Sequence, residues 1–174
     1  EARTTRFSQK LTRTLFDISN AVMTSDNLEE LYPVIYRALN NLLALPNFYI
    51  TIYNEKKGTL KIPFFVDEYD AEVLYEKTFD VNMSLTGEVI KAKKPLFLTE
   101  SMLMERAAEN RIIGTPSKIW IGVPIKIKKT VIGVMAIQSY HDPDYFTPHD
   151  KDLLVSVSHQ VALAIERKHN MDEI

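Results

Sequence analysis

The chain contains no cysteine in 174 residues. That excludes disulfides, zinc sites of the cysteine type, thiol catalysis and a chromophore attached through a thioether. It fits a reducing compartment, and the expectation is a cytoplasmic protein. Glycine numbers 5, roughly half the usual share, which argues against Gly-rich phosphate loops. No charge of one sign dominates: 21 Lys and Arg stand against 23 Asp and Glu, for a net charge of -2. A dedicated nucleic-acid binder draws its affinity from neutralised phosphates and needs a basic excess, so no nucleic-acid partner is expected. No apolar run approaches the ~20 residues of a membrane span. No signal peptide is visible and the first residue is Glu, so a fragment of a larger protein is expected.

What is present suits one globular domain over 1–174, 45% apolar and 25% charged. An N-terminal helix is expected over 1–24. Phe7, Leu11, Leu15, Ile18 and Val22 recur three or four residues apart within it, on one stripe that seats on a core or on a partner helix. A second helix is expected over 26–45, capped by Asp26 with Glu29 reaching back, with a bend expected at Pro33, and ended by Pro46. The period then changes. Phe48–Tyr53 and Leu60–Val66 read as strands around the turn Asn54–Gly58, and Pro63 calls for an edge or a bulge. Asp67–Glu76 is acidic and reads as a loop with a short helix. Ser84–Lys91 and Ser101–Asn110 read as short helices, with Leu96–Leu98 a brief strand between them. Ile119–Ile127 and Val131–Tyr140 are apolar on both faces, which places the pair centrally in a covered sheet. A last helix spans 147–169, opened by Thr147-Pro148-His149-Asp150. Its stripe holds Leu153, Leu154, Val157, Val161, Ala164 and Ile165. Hairpins with helices at both ends give an α+β class.

Three phrases carry a family resemblance. The first is Asn47-Phe48-Tyr49-Ile50 with Phe65-Val66-Asp67-Glu68-Tyr69-Asp70. The second is Ser84-Leu85-Thr86-Gly87-Glu88-Val89. The third runs from Trp120-Ile121-Gly122-Val123-Pro124-Ile125 through Val131–Tyr140 to Val161–Arg167. Together they resemble a GAF domain over almost the whole chain, of the bacterial kind found upstream of sensor histidine kinases and GGDEF cyclases. The resemblance implies a central antiparallel sheet of five or six strands with the first, second and last helices on one face. On the other face a lid of short helices and loops, 67–117, covers a small-molecule pocket (sheet and lid together 47–140). It also implies a two-component or cyclase setting, with an output domain in the same polypeptide. Candidate pocket residues are Phe48, Ile50, Asp67, Glu68, Thr86, Arg106, Trp120, Gly122, Gln138 and Tyr140. A homodimer is expected, joined through Phe7, Leu11, Leu15, Ile18 and Val22 of the first helix and Leu154, Val157, Val161 and Ile165 of the last.

The ligand stays open. Without cysteine, neither a bilin bound through this domain nor the sulfoxide reduction of other family members is available. The cyclic-nucleotide pattern Asn-Lys-x-Phe-x-x-x-Asp-Glu is half met: Phe146 and Asp150 match, but Ser139-Tyr140 and Lys151 do not. Phe146 reads equally as core and Asp150 as a helix cap. Haem would need an axial ligand. Of His141, His149, His159 and His169, none paired at i, i+4, His141 is the nearest candidate and reads otherwise as a surface-loop residue. No metal site is expected.

The acidic run Asp67, Glu68, Asp70 is either an acceptor for a cation or basic group, or a solvated loop with Asp70 as a helix cap. Trp120 either stacks on a ligand beside the space left by Gly122 or fills the core. Gln138, Ser139 and Tyr140 are polar groups at the end of an apolar strand and need partners. Arg106 and Arg111 either meet an anionic ligand or face solvent. The clusters Lys91, Lys93, Lys94 and Lys126, Lys128, Lys129 read as solvated turns. No catalytic set is present: there is no Gly-x-Ser-x-Gly, Walker loop or HExxH. An enzyme is not expected. The alternative function is a ligand-free dimerising spacer.

Overall fold

The periodic stripe of the first segment does form a helix, and its apolar side turns inward. A computed structural model describes residues 2–71 and 78–173, with side chains over 5–71 and 78–168. Helix α1 is Ala2–Thr24 and α2 is Leu28–Leu43. Strands β1, Phe48–Asn54, and β2, Thr59–Val66, form a hairpin. A short β3, Thr78–Asp80, leads through a 3₁₀ turn, Val81–Met83, into α3, Leu85–Ala92. Then come β4, Leu96–Leu98, and α4, Glu100–Ala108. The long pair β5, Ile119–Ile127, and β6, Thr130–Ser139, precedes α5, Pro148–Glu173. The short helix expected within Asp67–Glu76 falls mostly outside the described residues.

Local chemistry explains the boundaries. The N-cap of α2 is Asn27, one residue later than expected: its side chain accepts from the Glu30 N–H at 3.0 Å, and Glu30 accepts from the Asp26 N–H at 2.9 Å. Pro33 is accommodated inside α2. Ser84 caps α3 by accepting from the Gly87 N–H at 3.0 Å. At α5, Asp150 accepts from the Thr147 N–H at 2.9 Å, as the opening motif implies.

The strands form one antiparallel sheet in the order β3-β2-β1-β6-β5-β4. The β5–β6 hairpin lies inside it, as its two-sided apolar pattern requires. Pro63 sits in a bulge: Ile50 pairs with Phe64 and Ile52 with Lys61, so Thr51 alone faces Ile62 and Pro63. Strand β3 covers only Thr59–Lys61 of β2 among the described residues. Among the described residues the proline therefore removes no ladder bond.

Directly opposed residues share a face, so register sorts the two layers. Phe48, Ile50, Ile119, Ile121, Val123, Ile125, Met135 and Ile137 pack under α1, α2 and α5. Trp120, Val134 and Ala136 face Leu85, Val89, Ile90 and Leu103 of the lid. At the rim the Lys168 ammonium of α5 donates to the Ser25 carbonyl beyond α1, and Ser19 of α1 bonds Gln160 of α5 at 3.2 Å.

This arrangement corrects the expected dimer surface. Ile18, Val22, Leu154, Val157, Val161 and Ile165 are buried in the chain's own core, with Leu11 and Leu15 packed against it. Phe7 lies against His149. A stripe shows that something covers it, and here the cover is the neighbouring helices and the sheet. Among the described residues, the large apolar side chains these helices expose are Phe16 (67%), Met23 (82%) and Leu163 (52%).

Candidate functional site

Between the sheet and the lid lies a cavity of about 60 Å³. Tyr49 and Thr51 of β1, Trp120 of β5 and Gln138 of β6 form its floor. Phe79 of the edge strand β3 lines its border, and Leu85, Thr86, Ile112, Thr115 and Ser117 close it from the lid side, with Asp70 beside Thr115.

Trp120 is 1% exposed: it fills the core, and its ring also forms part of the cavity wall. Its ring occupies the space that Gly122 leaves empty, since a Cβ on Gly122 would lie 2.2 Å from the indole. The indole N–H donates to the Tyr49 hydroxyl at 3.1 Å, which also bonds Thr86 Oγ1 at 3.0 Å. Burial pushes the Tyr49 phenol up to about 12, although both of these bonds pull the other way. It stays a neutral donor and acceptor at physiological pH.

A second network holds the end of the cavity. Tyr140 Oη lies 2.9 and 2.8 Å from the two Asp67 oxygens and 3.1 Å from Asp70 Oδ2. Gln138 donates to Asp67 and to Tyr140, each at 3.1 Å. Asp70 accepts from the Thr115 hydroxyl at 2.7 Å and the Thr115 N–H at 2.9 Å. Gly114 makes that approach possible: its φ is +83°, and a Cβ there would lie 2.5 Å from Asp70 Oδ2. Burial, followed by the adjacent Asp67 and Asp70 carboxylates, raises the Tyr140 phenol far above its ordinary range. Beside this network Glu68 accepts from the Asn47 side chain at 2.9 Å and contacts His141 at 3.1 Å. Those contacts, Asn47 first, hold its carboxyl below the usual range.

Two cavity-lining hydroxyls, Thr51 Oγ1 and Ser117 Oγ, are buried without a hydrogen-bond partner among the described residues. Thr51 is 1% exposed and Ser117 7%.

Of the residues expected at the pocket, Thr86, Trp120 and Gln138 line the cavity. Gly122 makes room for the indole, while Asp67 and Tyr140 stand behind Gln138 in the bracing network. The others lie elsewhere. Phe48 and Ile50 are on the opposite face, in the helix-side core, because β1 pairs Phe48 with Ile137. Arg106 makes a bidentate pair with Glu88 at 2.9–3.2 Å, and Arg111 joins the same carboxylate at 3.1 Å. Neither arginine faces the cavity. Glu68 turns to the rim. Sequence reasoning missed Tyr49, Thr51, Thr115 and Ser117, and read Asp70 only as a cation acceptor or a helix cap. Alternation does not single out the first two, because Phe48–Tyr53 is compatible with burial on either parity; the pairing of Tyr49 with Ala136 and of Thr51 with Val134 decides their face.

Phe146 is core and Asp150 caps α5, so the half-met nucleotide pattern has a structural account. His141 is exposed and bonded to Tyr69 at 2.9 Å. The His169 side chain is outside the described residues. Both lysine clusters are exposed. Among the described residues no group of His, Asp and Glu is placed to hold a metal, and no helix is long and apolar enough to cross a membrane.

Solved structures share this architecture. The GAF domain of an Acinetobacter phosphoenolpyruvate-protein phosphotransferase is 17% identical, with a TM-score of 0.73 over 94% of this chain and 98% of that one. Residues 122 to 287 of a methyl-accepting chemotaxis protein are 17% identical, with a TM-score of 0.75 over 90% of this chain and 99% of that one. A free methionine-R-sulfoxide reductase from Neisseria meningitidis, solved with its substrate, is 14% identical, with a TM-score of 0.73 over 92% and 91%. No curated protein matches by sequence. At such identities the likeness establishes the fold, and membership comes from a separate finding. The family model for the GAF domain matches residues 25–166, from the last residues before α2 through most of α5, so the chain belongs to the GAF domain family.

Proposed function

We propose that this GAF domain, 1–174, is a sensory or regulatory module of a larger bacterial, cytoplasmic signal-transduction protein. A small molecule held between sheet and lid biases the packing of the sheet against the terminal helices. Those helices pass the bias to an output domain in the same polypeptide, a histidine kinase or diguanylate cyclase. One observation carries the reading: a cavity walled by two buried hydroxyls that have no partner among the described residues. Native cores satisfy nearly all such groups through protein or ordered solvent, and a small molecule inside the cavity would satisfy both. Phosphotransferase and chemotaxis proteins among the similar structures support the signalling setting.

The module works as a homodimer. Its contact is the outer side of α1, where Phe16 and Met23 stand one heptad apart, together with Leu163 of α5. The role is regulatory: a thiol-based reduction has no nucleophile in a chain without cysteine.

The cavity volume favours a second reading. About 60 Å³ is well short of the ~300 Å³ at which typical ligand sites begin, as expected of a ligand-free dimerising spacer. Native mass spectrometry of the purified chain, before and after denaturation, separates the two. A dimer carrying an extra mass that denaturation releases is the expected result. A dimer of bare chain mass that takes up nothing from a metabolite mixture refutes the sensor, and a monomer at high micromolar concentration refutes the dimer.

A further inference from the structure

The cavity's polar lining is one-sided, and this narrows the ligand class, on the reading that the cavity is a ligand site. Among the described residues its polar lining is the Asp70 carboxylate, the Gln138 amide and several hydroxyls, with no lysine, arginine or histidine. Every donor to Asp70 and Asp67 among the described residues is neutral: Thr115 serves Asp70, Gln138 and the Tyr69 and Asp70 N–H groups serve Asp67, and Tyr140 is shared. Tyr140 has a single proton for oxygens of both carboxylates at 2.8–3.1 Å. None of the ion pairs among the described residues reaches either carboxylate. A buried carboxylate without a cation carries a large desolvation cost. Asp70 Oδ1 holds one donor, the Thr115 hydroxyl, which leaves it a lone-pair position.

The second observation is independent of the acidic pair. Thr51 Oγ1 and Ser117 Oγ, both more than nine-tenths buried, line the same cavity with no partner among the described residues. The lining is thus complementary to a positive charge at Asp70 and to a hydrogen-bonding group at Thr51 and Ser117. The volume sets the size of an occupant. At ~10–15 Å³ for each water-sized centre, about 60 Å³ accepts about four to six non-hydrogen atoms.

We propose that the cavity binds a compact primary ammonium compound of the amino-alcohol class, its ammonium on Asp70 and its hydroxyl among Thr51 and Ser117. An anion finds no cation in the lining. A metal ion wants about six oxygens at close range and would displace the Thr115 and Tyr140 donors, whereas an ammonium adds its N–H groups to a vacant lone pair. A nucleotide, haem or bilin exceeds the volume several-fold.

Ethanolamine is the probe. Trp120, the only tryptophan, reports from the cavity wall by its fluorescence, and thermal unfolding gives a second readout through ligand stabilisation. Ethylene glycol, glycolate and calcium chloride serve as neutral, anionic and metal comparisons. The expected result is a saturable Trp120 response and a raised Tm with ethanolamine, with each comparison at least ten-fold weaker. Asp70→Asn should weaken ethanolamine at least ten-fold. The double variant Thr51→Val/Ser117→Ala should weaken it as well, while the free protein stays as stable as the parent or more so, since neither hydroxyl loses a partner. That variant covers the case in which Asp70→Asn fails to fold. Preference for ethylene glycol, glycolate or calcium, or ethanolamine binding that ignores both variants, overturns the ligand class and leaves the sensor reading standing. If none of the four binds but native mass spectrometry finds another retained molecule, the class again falls alone. If nothing is bound or retained, both fall.

Discussion

Replacing Gly122 by alanine tests whether the indole and the cavity are arranged as described. The new Cβ would lie 2.2 Å from Trp120 Cη2, 2.6 Å from Cζ3 and 3.0 Å from Cγ2 of Val89. Carbon atoms pack at about 3.5–4.0 Å, so the ring must retreat by about an ångström or more. It cannot move toward Val89, which is fully buried, and the open direction is the cavity. Moving there strains or breaks the 3.1 Å bond from the indole N–H to Tyr49. Overpacking of this kind costs about 1–3 kcal/mol, and a lost buried hydrogen bond about 1 kcal/mol. Against that, alanine in a strand recovers about 0.5–1 kcal/mol over glycine. The net expectation is a loss of about 2 kcal/mol, or about 4–8 °C in Tm for a domain of this size. Urea unfolding followed by circular dichroism measures the loss without using the displaced tryptophan as its probe. Fluorescence emission then reports the indole's new surroundings. A variant within about 0.5 kcal/mol of the parent, with unchanged emission, refutes the packing and the cavity drawn from it.

Two further outcomes follow from the same wall. Tyr49→Phe strands the buried indole N–H and takes a partner from Thr86, at a cost of about 1–3 kcal/mol; an unchanged urea midpoint would show that Trp120 has another acceptor. Tyr49 and Tyr32 are both pushed up to about 12 by burial, and Tyr140 is raised further by burial and its carboxylates. A raised folded value means stability that is complete below the ordinary tyrosine value of 10.0 and is lost as the pH climbs from there toward 12. In an ultraviolet titration these three phenols should ionise only as the protein unfolds, after the exposed tyrosines. If Tyr49→Phe instead removes one phenolate from the native titration near pH 10, the burial of Tyr49 is refuted.

The elements were legible wherever a pattern ran long enough to define a face. In β5 the alternation of Ile119, Ile121, Val123 and Ile125 with Trp120, Gly122 and Pro124 admits one reading, and it put the tryptophan on the lid side. In β1 it does not: Phe48-Tyr49-Ile50-Thr51-Ile52-Tyr53 is compatible with burial on either parity. Its face is set across the ladder, where Tyr49 opposes Ala136 and Thr51 opposes Val134. The polar-capable half of the strand thereby joins Trp120 and Gln138, and Phe48 and Ile50 go to the helices. The stripes of α1 and α5 were legible as stripes. What covers them is decided by the three-helix layer on the sheet, which no window of one helix contains. Glu88 claims Arg106 from eighteen positions away on another lid helix, a distance at which spacing carries no information.

The cavity is harder still to read from sequence, and for a more general reason. Every serine and threonine has the same hydroxyl, and most find a partner locally. Thr14, for example, bonds the carbonyl four residues back along its helix at 2.8 Å. In a strand the side chain stands away from its own ladder, so Thr51 depends on whatever the opposite layer presents. Ser117 enters from the loop before β5 and depends on the sheet in the same way. Each would be satisfied if the lid brought a complementary group, and the lid residues described here do not. The absence of a partner is thus a property of two layers meeting, fixed by how far Gly114 lets Asp70 draw in Thr115 and by how much of the floor the indole of Trp120 fills. The same two contacts determine what the cavity can hold, so a change at Gly114 or Gly122 should alter ligand binding even though neither glycine touches the cavity.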